Sequence, residues 1–195
     1  IKGVKYAFDG WYTDSSFDPS SKVSDWPATI TTNELKQNNN QLNYYGRYIP
    51  VSADLTISKT VTGMLGDTNK AFTFQIVDGE GNVVELTKNN CEFNNTNVAL
   101  LNGTDGEFTL KHGDTVTIKN LVPGTYKVKE IGDDLTGYET SWKVGTDDTV
   151  HEKSTEAPVT MSGTNMTLDF TNHCTLKPDT GVLLDTLPYI VILAV

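Results

Sequence analysis

Three polar residues fall where alternating apolar residues would turn them inward. In Leu55-Thr56-Ile57-Ser58-Lys59-Thr60-Val61 the odd positions carry the hydrophobic side chains, and Lys59 shares their face. In the segment 125–131, Tyr126 and Val128 mark the inner face and Glu130 joins it, while Lys127 and Lys129 point outward. Near the end of the pattern Met166, Leu168 and Phe170 mark an inner face that continues to Asn172, with Thr167, Asp169 and Thr171 outside. An amine, a carboxylic acid and a carboxamide therefore all turn toward a core, and burying any one of them alone costs several kcal/mol. Parity leaves two explanations open. Either the three satisfy one another, or each ends its own stripe: Lys59 snorkels to water, Glu130 pairs with a surface cation and Asn172 caps a strand end.

Hydrolytic or metal chemistry would need other groups. His112, His151, His173, Cys91, Cys174 and the pairs Asp133-Asp134 and Asp147-Asp148 are the available residues, and none has metal-ligand or triad spacing. The aspartate pairs adjoin Gly or Thr in turn-like stretches, where solvated acids are ordinary. The two cysteines fit a disulfide, a buried pair or simply unreactive thiols, and the last is the simplest reading. Nothing in the sequence calls for a cofactor or a metal, and a turnover enzyme is not expected.

The elements that would position the three polar residues are strands. The 195 residues are rich in Thr, Val and Asn, contain 16 Gly, and hardly anywhere repeat apolar residues at helical spacing, so an all-β chain of one or two domains is expected. Acidic residues outnumber basic ones 25 to 15, and the net charge of −10 opposes binding to nucleic acid or to an anionic membrane surface. Residues 1–49 read as two short strands around a polar loop, Tyr6-Ala7-Phe8-Asp9-Gly10-Trp11-Tyr12 and Leu42-Asn43-Tyr44-Tyr45-Gly46-Arg47-Tyr48, with one helical turn near 33–37. Residues 50–53 read as a linker, because Pro50 blocks ladder pairing and the alternation restarts at Asp54. From 54 to 174 about eight strands follow, at 54–61, 71–76, 82–86, 107–110, 115–118, 125–131, 139–144 and 165–171, with turns such as Asp78-Gly79-Glu80-Gly81 and Lys111-His112-Gly113-Asp114 between them. That spacing argues for a β-sandwich. Residues 175–195 change character to a polar stretch and then an apolar one, 187–195, which is shorter than the roughly 20 residues that a bilayer span takes. No secretory signal stands at Ile1, and the pattern there begins mid-fold, as in a fragment of a longer chain.

Several stretches resemble known families. Phe8-Asp9-Gly10-Trp11-Tyr12-Thr13-Asp14 and Tyr45-Gly46-Arg47-Tyr48 resemble the small β-grasp-like repeat of the Listeria–Bacteroides type found in bacterial surface proteins, whose opening strand would lie before Ile1. Leu55-Thr56-Ile57-Ser58-Lys59-Thr60-Val61-Thr62-Gly63, Phe72-Thr73-Phe74, Leu121-Val122-Pro123-Gly124-Thr125-Tyr126-Lys127-Val128-Lys129-Glu130 and Phe170-Thr171-Asn172 resemble, in that order, the pilin isopeptide-linkage domain of Gram-positive surface proteins, a CnaB-type relative of the collagen-adhesin B domains. This resemblance implies an immunoglobulin-like sandwich over 54–174. It also implies an amide cross-link between Lys59 and Asn172, promoted by Glu130. Burial would favour the neutral amine that such a bond needs. Lys177-Pro178-Asp179-Thr180-Gly181 is similar to a sortase sorting signal, with Lys177 where leucine is usual and Leu176 one place upstream.

Together these resemblances imply a structural stalk or pilin-type domain on the outside of a bacterium. It would be anchored to the peptidoglycan by sortase and would touch the membrane only through the precursor's C-terminal tail. Other pilin subunits or a host ligand are the further partners implied. A polymer would need an acceptor lysine, for which Lys22, Lys36 and Lys143 are equivalent choices. The alternative function is a ligand-binding adhesin domain without a cross-link, but 54–174 has neither an exposed aromatic cluster nor a basic groove to nominate a binding face.

Overall fold

The computed structural model describes residues 3–31, 41–94, 100–101, 106–132 and 135–177. Strands β1 (Tyr6–Tyr12) and β2 (Tyr45–Pro50) pair antiparallel as a two-stranded sheet, with a bulge between Phe8 and Gly10. One 3₁₀ turn, Pro19–Ser21, is capped by the Asp18 carboxylate. The helical turn expected near 33–37 lies outside the described residues. The Phe8 ring meets those of Trp11 and Tyr48, and Trp11 also stacks on Trp26 at 5.1 Å between centroids. Tyr12 is buried among Asp9, Phe17, Lys22 and Arg47.

From Ala53 onward the chain forms two larger sheets. Its strands are β3 (Ala53–Thr62), β4 (Phe72–Asp78), β5 (Cys91–Phe93), β6 (Leu100–Leu101), β7 (Glu107–Leu110), β8 (Thr115–Leu121), β9 (Gly124–Ile131), β10 (Tyr138–Val144), β11 (His151–Glu152), β12 (Glu156–Met161) and β13 (Met166–Cys174). One sheet has the order β11-β10-β13-β3-β8-β5 and the other β12-β9-β4-β7-β6. All neighbours run antiparallel except β3 and β13, the first and last strands of this set, which are parallel. The expected all-β sandwich is therefore present, and its inner faces alternate as parity requires: in β3 every second residue from Ala53 to Val61 is buried. Leu55, Ile57, Val116, Ile118, Leu168 and Phe170 from one sheet meet Phe72, Phe74, Ile76, Phe108, Val128 and Val159 from the other in a single core.

The structure differs from the sequence expectation in several details, among them the short strands β5, β6 and β11, which the expectation does not include. The stretch 82–86 is no strand: Val83 makes one isolated bridge to Val77. The Asp78 carboxylate holds the backbone N–H groups of Glu80 and Asn82 in a tight turn, and the chain then departs for β5 in the opposite sheet. Strand β12 is not among the expected strands either; it carries Pro158 and lies at a sheet edge, where a missing N–H does no harm to a ladder. Finally, Pro50 closes β2 opposite Tyr6 and Ala53 opens β3, so only Val51 and Ser52 join the two sheets.

That joint is pinned at its side. Lys5 N–H donates to the Ser162 carbonyl at 3.0 Å and Val51 N–H to the Lys5 carbonyl at 2.9 Å. Gly163 sits beneath them with φ of +84°, and a Cβ there would lie 2.9 Å from both Lys5 Cβ and the Val51 carbonyl oxygen.

Candidate functional site

β3, β9 and β13 each deliver one polar side chain to the middle of the sandwich. Lys59 is 1% exposed, Glu130 3% and Asn172 0%. β3 and β13 are adjacent and in parallel register, with Phe170 opposite Lys59 and Asn172 opposite Val61, so Lys59 and Asn172 sit diagonally on the same inner face. Glu130 comes from the facing sheet, where Phe74 is its cross-strand partner. Lys59 Nζ donates to Glu130 Oε1 at 2.5 Å and Asn172 Nδ2 donates to the same oxygen at 2.7 Å. Of the two explanations left open by parity, mutual satisfaction is the one the fold adopts.

The surroundings are apolar. Phe72 and Phe74 flank the ammonium, with centroids 4.4 and 5.4 Å from Nζ, and Phe170 meets Phe74 edge to face. Burial pushes the Lys59 amine down from its ordinary value to about 8, and the neighbouring Glu130 only partly opposes this. Asn172 Oδ1 is buried with no hydrogen-bond partner, an exception for a carbonyl oxygen in a core. A fourth residue completes the cluster: Thr140 on β10 is 5% exposed and donates its Oγ1 hydrogen to Glu130 Oε2 at 2.9 Å. Sequence reasoning missed it, although Thr140 shares strand parity with the large apolar Trp142 and could have been placed inward on that signal.

The matching family model is described as "Domain of unknown function (DUF7601)" and covers residues 53–174, from the first residue of β3 to the last of β13. The chain belongs to the DUF7601 family. Its DUF7601 region holds Lys59, Glu130, Thr140 and Asn172. The chain is also similar to the pilus tip adhesin Cpa of Streptococcus pyogenes, with 35% identity over 142 residues, which is 70% of this chain and 19% of that protein. Among solved structures it is similar to a pilus-presented adhesin, Cpa, with 30% identity and a TM-score of 0.44 over 64% of this chain and 28% of that one. It is also similar to the major pilin from Streptococcus pyogenes, with 23% identity and a TM-score of 0.49 over 70% of this chain and 58% of that one. The DUF7601 chain thus spans about a fifth of the curated relative's length.

Other residues singled out from the sequence lie apart. His112 Nδ1 accepts from Val61 N–H, His151 stacks on Trp142, and His173 Nδ1 bonds the Thr62 hydroxyl, so the histidines serve three separate local contacts. Cys91 and Cys174 are both free and buried, and burial pushes the Cys91 thiol up to about 11. Among the described residues no group of His, Cys, Asp and Glu could hold a metal ion. Lys22 pairs with Asp9 and Lys143 approaches Asp169, whereas Lys36 and Asp133-Asp134 lie outside the described residues. Lys177 is exposed just past β13. The rest of the sorting-like motif, Pro178 to Gly181, and the apolar stretch 187–195 also lie outside the described residues.

Proposed function

We propose that this chain is part of a Gram-positive pilin-type surface protein, and that its CnaB-type sandwich, 53–174, is a stalk domain closed by an isopeptide bond between Lys59 and Asn172. The observation that carries this reading is the sharing of Glu130 Oε1 by the Lys59 amine and the Asn172 carboxamide within the buried core. The similarity to a pilus tip adhesin agrees with it.

The chemistry balances without a co-reactant. Lys59 passes one proton to Glu130 across their contact, leaving a neutral amine that attacks Asn172 Cγ. A half-turn of the carboxamide exchanges Nδ2 and Oδ1 and places the orphaned oxygen against the Glu130 acid, which then polarises the carbonyl. The Nζ–Cγ bond forms, the Cγ–Nδ2 bond breaks, a second Nζ proton reaches Nδ2 by way of Glu130, and ammonia departs. The event happens once per molecule, so the domain is its own substrate.

The two-stranded aromatic module, 1–49, is read as part of a β-grasp-like repeat, and Lys177 to Gly181 as a sortase signal whose Thr180 joins the chain to a wall amine. Sortase and peptidoglycan are then its partners, with pilin subunits or a host ligand beyond them, and the cell-wall surface is its location.

Intact mass of the purified chain tests the cross-link. The expected mass is one ammonia below that of the sequence, with a branched peptide joining Lys59 to Asn172 after proteolysis. A folded chain aged at neutral pH and still at full mass would sink the reading.

A further inference from the structure

We propose that Thr140 is a positioning residue for the cross-link, fixing which oxygen of Glu130 carries the proton used in bond formation. The inference rests on the cross-link reading above. Three geometric facts carry it. Thr140 is the direct antiparallel partner of Asn172 on the neighbouring strand β10, so both side chains rise from one face of one sheet toward Glu130 on the other. They take different oxygens: Asn172 and Lys59 meet Oε1, and Thr140 donates to Oε2 at 2.9 Å. All four side chains are buried, so no water competes for either oxygen.

The consequence follows from what a carboxylic acid can accept. In the acid one oxygen is a carbonyl and the other a hydroxyl, and a donor prefers the carbonyl oxygen. The Thr140 hydroxyl therefore makes Oε2 the carbonyl and leaves the proton on Oε1, the atom that faces both reacting groups. Without that donor the carboxyl can rotate or place its proton on Oε2, away from Asn172. Thr140 also stops Glu130 from turning about its last torsion, which is a broad, soft one. The γ-methyl adds only packing, so a serine should do the same work and a valine should not.

The test follows ammonia loss by intact mass in the full chain, sampled from the moment of cell-free synthesis, with folding checked by protease resistance. Expected is a rate about tenfold or more lower in Thr140→Val, the scale of one hydrogen bond to a charged or acidic group, and a rate near wild type in Thr140→Ser. A folded Thr140→Val that reacts at the wild-type rate overturns the proposal, and so does a Thr140→Ser as slow as the valine variant, since packing would then be the cause. Should Thr140→Val not fold, Thr140→Ser and Thr140→Cys repeat the comparison with a strong and a weak donor: a faster serine variant supports the proposal and equal rates overturn it. A wild-type chain that never loses ammonia is a different result, because it removes the cross-link itself.

Discussion

Lys59 and Asn172 lie on adjacent parallel strands and direct their side-chain nitrogens to the same oxygen of Glu130. Because β3 is the first and β13 the last strand of the sandwich, a bond between these residues closes nearly the whole domain into one loop. Tension that enters at Ala53 and leaves at Cys174 would then run across the bond, leaving the strands between them unloaded.

Stability should report that closure. By the chain-entropy argument used for disulfides, a loop spanning 59–172 is worth roughly 4–5 kcal/mol, so Asn172→Ala should lower unfolding free energy by about that amount in equilibrium denaturation. Lys59→Ala should cost more, because it also strands the buried Glu130 carboxyl without its cation. Equal stability of wild type and Asn172→Ala would contradict the closed loop.

The lowered Lys59 value has two pH signatures. Bond formation needs a neutral Lys59 beside a protonated Glu130, one shared proton in all, so its rate should hold below about 8 and fall as pH rises through that value and the proton is lost, read by mass on freshly synthesised chain. In Asn172→Ala, where the amine stays unreacted, the folded lysine gives up its proton at about 8 and the unfolded one near 10.5. Between those values the unfolded state binds more protons, so stability rises with pH across that window, and the burial penalty is felt in full below it. A stability that falls from pH 8 to 10 would show that the amine is not desolvated.

Gly163→Ala should loosen the aromatic module. The new Cβ would sit 2.9 Å from Lys5 Cβ and the Val51 carbonyl, at a φ of +84° that an L side chain adopts at a cost of about 1–2 kcal/mol. The expected result is faster proteolysis near Val51 and Ser52 with little change in the core of 53–174. Unchanged cleavage would mean that the Lys5–Ser162 bond contributes nothing to docking.

Residues 53–174 should fold without the module. Every buried residue of the main hydrophobic core lies within that range, while Tyr12 is buried separately. The shortened chain is expected to be soluble and to unfold cooperatively, as followed by circular dichroism. Aggregation would mean that residues 1–49 supply part of the core.

Thr180→Ala should leave the precursor in the membrane fraction if a sortase cuts between Thr180 and Gly181. Pro178 favours the extended peptide that a thiol transpeptidase needs. Wall attachment of the variant at the normal level would make the motif a coincidence.

Alternation along single strands determined much of this protein in advance. It placed Lys59, Glu130 and Asn172 on inner faces, because side-chain direction in a strand depends only on parity, and it set the class of the fold through the turn residues between stripes. It failed where local signals were weak or misleading: the edge strand Glu156–Met161 was not among the expected ones, and the apolar residues at 82–86 suggested a strand that the Asp78 turn and the crossing to the other sheet do not allow. Only the tertiary structure decided which strands are neighbours. The parallel pairing of β3 with β13 joins residues more than a hundred positions apart, and no local pattern encodes it. The same holds for the two oxygens of Glu130, one shared by Lys59 and Asn172 and the other taken by Thr140: those contacts arise from the packing of one sheet on the other, which fixes distances that a sequence read strand by strand does not contain.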